Sequence, residues 1–326
     1  MASPLPSYVN FTTNDGCKIA FRSSLPLPPS REATPSPNYS RLILLMHGFS
    51  GSSAYFARNI PTLSSHSWVV APDMRGHGAS GRPAGGYHVA RLAADLRELI
   101  AHLRAAASSS NLRIVPVGCS IGAAVLWTYV ELFGCADFAG FVFVDQAPLQ
   151  DQSLLCGRDD WDETRCHTGC YDEKSMLGAQ EAWVLEDRRA ETHRGLVGEC
   201  LGYRQAGYMG REVSEEEREK DEEYFTGISA LCDGVWLARL LADHTRYDHR
   251  EAIELIDVPT LVMAGKWSGC FPLEGMKETV RRVEKMGDME GKVKMSLFDC
   301  GHWLFWEDPE RFGREVMGFV DSLELK

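Results

Sequence analysis

The 326-residue chain has no run of about 18 consecutive apolar residues, so no segment is expected to cross a membrane as a helix. Its N-terminus lacks a basic region followed by an apolar stretch, and a signal peptide is therefore not expected. Positive charge is short: 34 Lys and Arg face 46 Asp and Glu, a net charge of −12 with no basic stripe. That balance excludes nucleic acid and an anionic membrane surface as main partners and favours a small neutral or apolar ligand. The ten cysteines form no evenly spaced framework. They read as free, partly buried thiols of a reducing compartment, which points to the cytoplasm. Cys156 and Cys166-His167-Thr168-Gly169-Cys170 match no zinc template, so neither a metal nor another cofactor is expected.

What is present centres on Gly118-Cys119-Ser120-Ile121-Gly122, which follows a short apolar run and opens a small-residue helix. In a G-x-S-x-G elbow a serine sits on a sharp strand-to-helix turn with its oxygen exposed, and the glycines let neighbouring backbone pack closely. Residues 113–117 read as the strand, and 123–133 as the helix whose N-terminus faces Ser120.

Around the elbow, strands and helices alternate. Residues 8–12 and 18–23 form a hairpin about Asn14-Asp15-Gly16, and the proline- and serine-rich stretch 26–37 is a loop. Strands follow at 42–46, 68–71 and 138–144, with an amphipathic helix over 89–106. The alternation predicts βαβ units and a largely parallel sheet, with ligands at the carboxyl ends of its strands. From residue 149 to about 250 strands vanish and aromatics are scattered through charged sequence, including the acidic run 215–223, which reads as a solvated helix face. Strands resume at 260–264 and 293–298, with helices over 273–285 and 309–323.

Three further stretches carry candidate chemistry. The glycine- and serine-rich loop His47-Gly48-Phe49-Ser50-Gly51 leaves backbone N–H groups free, so the Phe49 and Ile121 amides are read as an oxyanion hole, with no proton-transfer role for His47. Asp73, in Asp73-Met74-Arg75-Gly76-His77-Gly78, reads as a structural turn residue. His302 follows the last strand in a glycine turn, where its imidazole can reach Ser120 as the base.

Assembled in this order, the His47-Gly48-Phe49, Asp73 to Gly78, Gly118 to Gly122 and Gly301-His302 motifs resemble those of the α/β-hydrolase superfamily. The resemblance implies an α/β fold with a mostly parallel central sheet, helices on both faces and an inserted helical cap. The expected division is a core of residues 1–148 and 251–326 with a cap at 149–250. It also exposes a departure: many relatives carry the acid in the turn after the seventh strand, where this chain has Ser268. Other branches place it after the sixth, so Asp145 is the expected third member of the triad, with Asp299, Asp257 or no acid as alternatives.

A serine nucleophile points to acyl transfer on esters, thioesters, lactones or amides, because relatives that open epoxides or remove halides use an aspartate at the elbow. Trp267, Trp303 and Phe305 are expected to line an apolar acyl pocket. Alternatives are a stand-alone thioesterase or macrolactone-forming enzyme, which would have an acyl-carrier or synthase partner, a C–C hydrolase or perhydrolase, and a receptor that keeps the fold without turnover.

Overall fold

The computed structural model describes residues 5–27, 40–107, 112–150, 171–285, 289 and 291–323. The expected loop at 26–37 lies mostly outside these residues, and Cys156, Cys166, His167 and Cys170 lie wholly outside them.

Continuous aliphatic runs build the centre. The strand β3 (Arg41–Met46) sends Leu42, Leu44 and Met46 to one face of a sheet and Ile43 and Leu45 to the other, and all five are buried. A strand covered on both faces has no polar alternation, which is why it reads as an unbroken apolar run. Eight strands form one sheet in the order β1-β2-β4-β3-β5-β6-β7-β8. The others are β1 (Tyr8–Thr12), β2 (Lys18–Ser23), β4 (Trp68–Pro72), β5 (Arg113–Cys119), β6 (Phe141–Val144), β7 (Thr260–Gly265) and β8 (Val293–Phe298). The hairpin β1-β2 is antiparallel and joins β4 antiparallel; every pairing from β4 to β8 is parallel.

Residues 138–140, expected as strand, precede β6: Phe138 makes only an isolated bridge to Ile114. Gly140 is squeezed there, since a Cβ on it would lie 2.8 Å from the Pro259 carbonyl oxygen.

One face of the sheet packs against α2 (Val89–Ala107), α3 (Ile121–Phe133), α8 (Arg250–Ile253) and α9 (Leu273–Glu284). The other face carries α1 (Ile60–Leu63), α10 (Leu304–Glu307) and α11 (Pro309–Ser322). The crossing order puts the ends of β3, β5, β6 and the turn after β8 along one edge, where Phe49, Ser120, Asp145 and His302 follow them.

Between β6 and α8 the long elements among the described residues are helices: α4 (Glu173–Val184), α5 (Glu186–Cys200), α6 (Glu215–Ala230) and α7 (Gly234–Arg246). The acidic run in α6 is not wholly solvated as expected. Asp221 shares an inward stripe with Phe225 and Ile228 and is buried, because Arg58 lies over the Trp306 ring and reaches its carboxylate at 3.1 Å. Among the described residues no single helix is long and apolar enough to cross a membrane.

Candidate active site

The elbow is a backbone device. Ser120 stands between β5 and α3 at φ 53°, ψ −127°, a conformation that costs an L-residue of order 1–3 kcal/mol and persists only when its surroundings enforce it. The surroundings here are two contacts open only to glycine. A Cβ on Gly118 would lie 2.7 Å from the Ala123 backbone, and one on Gly122 would lie 2.6 Å from Met46 O and 3.0 Å from His47 O. The Ser120 N–H donates to Val144 O at 2.9 Å, tying the turn to the end of β6. Gly122→Ala must push α3 away from the end of β3, and an expected loss of about 2–4 kcal/mol should appear as a lower urea midpoint.

The loop after β3 is braced from below. His47 donates from Nδ1 to Gly48 O at 2.8 Å and accepts the Met74 N–H at Nε2, 2.9 Å away. These two bonds fix one neutral tautomer, and full burial lowers its pKa, so His47 holds the loop. Asp73 is equally committed, accepting Ser53 N–H at 2.7 Å and Ala79 N–H at 2.8 Å. Arg75 of the same turn is fully buried and forks onto Asp95 and Asp15, pinning the turn to α2 and to the β1-β2 hairpin. Ser50, at φ 54°, accepts from Ser229 Oγ of α6 at 2.9 Å, and His193 of α5 lies 2.5 Å from that hydroxyl. The helices above the sheet thus grip the loop that bears Phe49. Among the described residues neither the Phe49 nor the Ile121 N–H has a protein acceptor.

Asp145 ends β6 at φ 47°, and its fully buried carboxylate has three donors. Oδ1 accepts the Gly265 N–H at 2.9 Å. Oδ2 accepts Ser268 Oγ–H at 2.6 Å and His302 Nδ1–H at 2.6 Å. The exposed Asp299 instead accepts the N–H of the half-buried Trp267 indole at 2.6 Å. Ser268, at the position where the resemblance leads to the expectation of an acid, is a donor to the Asp145 carboxylate. Burial opposes charging of His302, but the field of the Cys270 sulfur and the bond to Asp145 outweigh it and raise its pKa to about 9. The Cys270 thiol is itself pushed well above the usual thiol range by its bond to Cys200 and by burial.

The histidine turn is closely fitted. A Cβ on Gly265 would lie 2.1 Å from Gly301 O, and one on Gly301 would lie 2.2 Å from Gly202 N. Glu307 Oε1 accepts both the Gly301 and Gly202 N–H groups at 3.0 Å, and burial raises the Glu307 pKa to about 7. Neither the Glu307 brace nor the Ser268 bond is signalled by sequence spacing.

Ser120 and His302 face one cavity of about 310 Å³. Its floor includes Gly48 and Phe49, and its roof Tyr171, Trp183, Leu196 and Leu241. Phe49 meets Trp183 edge to face at 5.4 Å. Gln150 Nε2 and His244 Nε2, 2.8 Å apart, add a polar element, with burial lowering the His244 pKa to about 3.

Of the three aromatics expected in the pocket, only Trp303 lines it. Trp267 turns outward to Asp299 and Tyr208, and Phe305, the second residue of α10, packs into the core against Tyr55 and Phe56. Adjacency in sequence to a site motif does not place a side chain on the site's side of the backbone.

Comparison with known proteins agrees with this architecture. The profile of the alpha/beta hydrolase family matches residues 43–315. Epoxide hydrolase A of Mycobacterium tuberculosis is 37% identical over 314 residues, covering 87% of this chain and 92% of that protein. Among solved structures, the bromoperoxidase of Bacillus anthracis superposes with a TM-score of 0.76 at 20% identity, over 97% of this chain and all of that one. An esterase of Exiguobacterium antarcticum gives 0.75 at 18% identity with the same coverage. By the extent of the family match and the identity to its relative, the chain belongs to the alpha/beta hydrolase family.

Proposed function

We propose that the protein is a serine hydrolase that transfers an acyl group of a hydrophobic small molecule from an ester, thioester or lactone. The observation that carries the reading is the Asp145–His302 bond of 2.6 Å at the edge of a cavity that Ser120 also lines. With Nδ1 held by Asp145, His302 keeps the lone pair of Nε2 for the Ser120 proton. The serine oxygen attacks the carbonyl, and the charge that develops on the carbonyl oxygen is met by the Phe49 and Ile121 amides. The imidazolium returns the proton to the leaving group. Water or a second hydroxyl, deprotonated by the same histidine, then releases the acyl chain.

The relative named an epoxide hydrolase does not carry that reaction to this chain. A serine that opened an epoxide would be left as an alkyl ether, which has no carbonyl for water to attack. Ser120 at the elbow therefore supports acyl chemistry. The apolar roof of Trp183, Leu196 and Leu241 supports a hydrophobic acyl group as the substrate partner.

The test is labelling by a fluorophosphonate probe, followed by peptide mapping and assay on p-nitrophenyl esters, acyl thioesters and lactones. Phosphonylation at Ser120 with turnover of one of these classes is the expected result; an unlabelled Ser120 would overturn the reading. The pH profile has a definite sign. Only neutral His302 can take a proton, and its pKa lies above 6.5, at about 9. In the free enzyme kcat/KM should accordingly climb as the pH rises above 6.5 and His302 loses its proton.

A further inference from the structure

Two thiols and the proposed catalytic imidazole converge beside the cavity. Cys200 is the last residue of α5, Cys270 lies in the turn after β7, and His302 follows β8. One ligand atom from each lies within 4.8 Å of the others. The two sulfurs are 3.6 Å apart. In a tetrahedral site with metal–sulfur bonds of about 2.3 Å, two bound thiolates stand about 3.8 Å apart. The pair is thus already at metal-ligand spacing, far beyond the ~2.05 Å of a disulfide.

We infer that Cys200, Cys270 and His302 form a binding site for a soft or borderline divalent cation of the Zn²⁺ or Cd²⁺ class, and that occupancy switches the hydrolase off. The donor set is two sulfurs and one imidazole, which selects such cations over Mg²⁺ or Ca²⁺. Nδ1 of His302 is taken by Asp145, leaving Nε2 as the ligand, and a carboxylate behind a ligating histidine is the usual support of a protein zinc site. Charge balances as well. Binding M²⁺ releases one proton from each thiol, and the two thiolates neutralise the cation, which a largely buried site requires. Three protein ligands leave a fourth position for solvent or substrate, since Cys200, Cys270 and His302 all line the cavity.

The consequence follows from one lone pair. The Nε2 electrons that would take the Ser120 proton are those that would bind the metal, so the two uses exclude each other. The inhibitory effect rests on the serine-hydrolase reading, whereas the binding itself does not. The three residues are separated by 70 and 32 positions, so no spacing template in the sequence joins them.

The experiment is a titration of the full chain, stripped of metal and kept reduced by a phosphine, with Co²⁺ alone and then with Zn²⁺ as competitor. One equivalent of Co²⁺ should bind with the near-ultraviolet charge-transfer band of thiolate ligation, and Zn²⁺ should abolish it. Cys200→Ser and Cys270→Ser should each weaken binding at least 100-fold, with Cys200→Ala and Cys270→Ala as second variants and circular dichroism to establish folding. A chain that gives no thiolate band, or a band unchanged in both cysteine variants and so assignable to Cys156, Cys166 or Cys170, would overturn the site. Zn²⁺ should also suppress fluorophosphonate labelling at one equivalent, reversibly with a chelator; labelling that persists at full occupancy would overturn the switch. Because the cobalt band is read without turnover, failure of the metal site and failure of the hydrolase reading are distinguishable.

Discussion

Ser120→Ala is expected to lower kcat on any ester the wild type turns over by about 10⁵–10⁶-fold while leaving substrate binding within a few-fold of wild type. The size follows from the way the group acts. His302 without a serine oxygen has no nucleophile to activate, so what remains is the donor pair and the positioning of the substrate, worth about 10³–10⁴ over water. Binding survives because the substitution removes one oxygen from a cavity whose walls are supplied mainly by other residues, among them Trp183, Leu196 and Leu241. The fold survives because the elbow is enforced by Gly118 and Gly122, and alanine can occupy φ 53° at the cost that serine already bears. Stopped single turnovers and the dissociation constant of a non-hydrolysable ether analogue measure the two quantities. Loss of both binding and turnover would mean that Ser120 acts as a structural turn, and unchanged turnover would move the nucleophile elsewhere.

The elbow could be read from sequence because every part of it is local. Strand, glycines, serine and helix lie within residues 113–133, and the steric demand that selects glycine at 118 and 122 acts over a few residues of backbone. The parallel sheet was legible for a related reason. Strands such as β3, buried on both faces, must be apolar throughout, and their spacing by helical stretches implies crossovers. His302 and Asp145 stood out as polar residues at strand ends. Their partnership did not, since 157 positions separate them, and only the register of β5, β6, β7 and β8 brings them together. The cavity roof was the least legible part. Trp183 and Leu241 lie on α4 and α7 of a segment with no motif, and which aromatics face a ligand depends on the direction the local backbone gives each side chain, to which Trp267 and Phe305 testify by facing away.

Asp145→Asn should reduce kcat about 10⁴-fold at neutral pH, and adding Ser268→Asp to that variant should recover at least tenfold of the loss. The first effect comes from the tautomer. An asparagine amide can present its N–H₂ to His302, which invites the imidazole to carry its proton on Nε2, where it cannot take one from Ser120. The carboxylate also stabilises the imidazolium, so its removal should move the acidic limb of the pH profile down from about 9. The recovery rests on position 268. Its side chain already reaches Asp145 Oδ2 at 2.6 Å, the same oxygen that meets His302 Nδ1 at 2.6 Å, so a carboxylate there is within one side-chain rotation of the imidazole. It also stands in the turn after β7 where many relatives of this fold carry their acid. The wild-type arrangement has its own cost: Ser268→Ala removes one of two donors to Oδ2 and should cost about 3- to 10-fold in kcat through looser placement of the carboxylate. If Asp145→Asn reacts with a fluorophosphonate as fast as wild type, the acid lies elsewhere. If Ser268→Asp alone accelerates a chain that keeps Asp145, the carboxylate at the end of β6 is orienting the turn while position 268 controls the histidine.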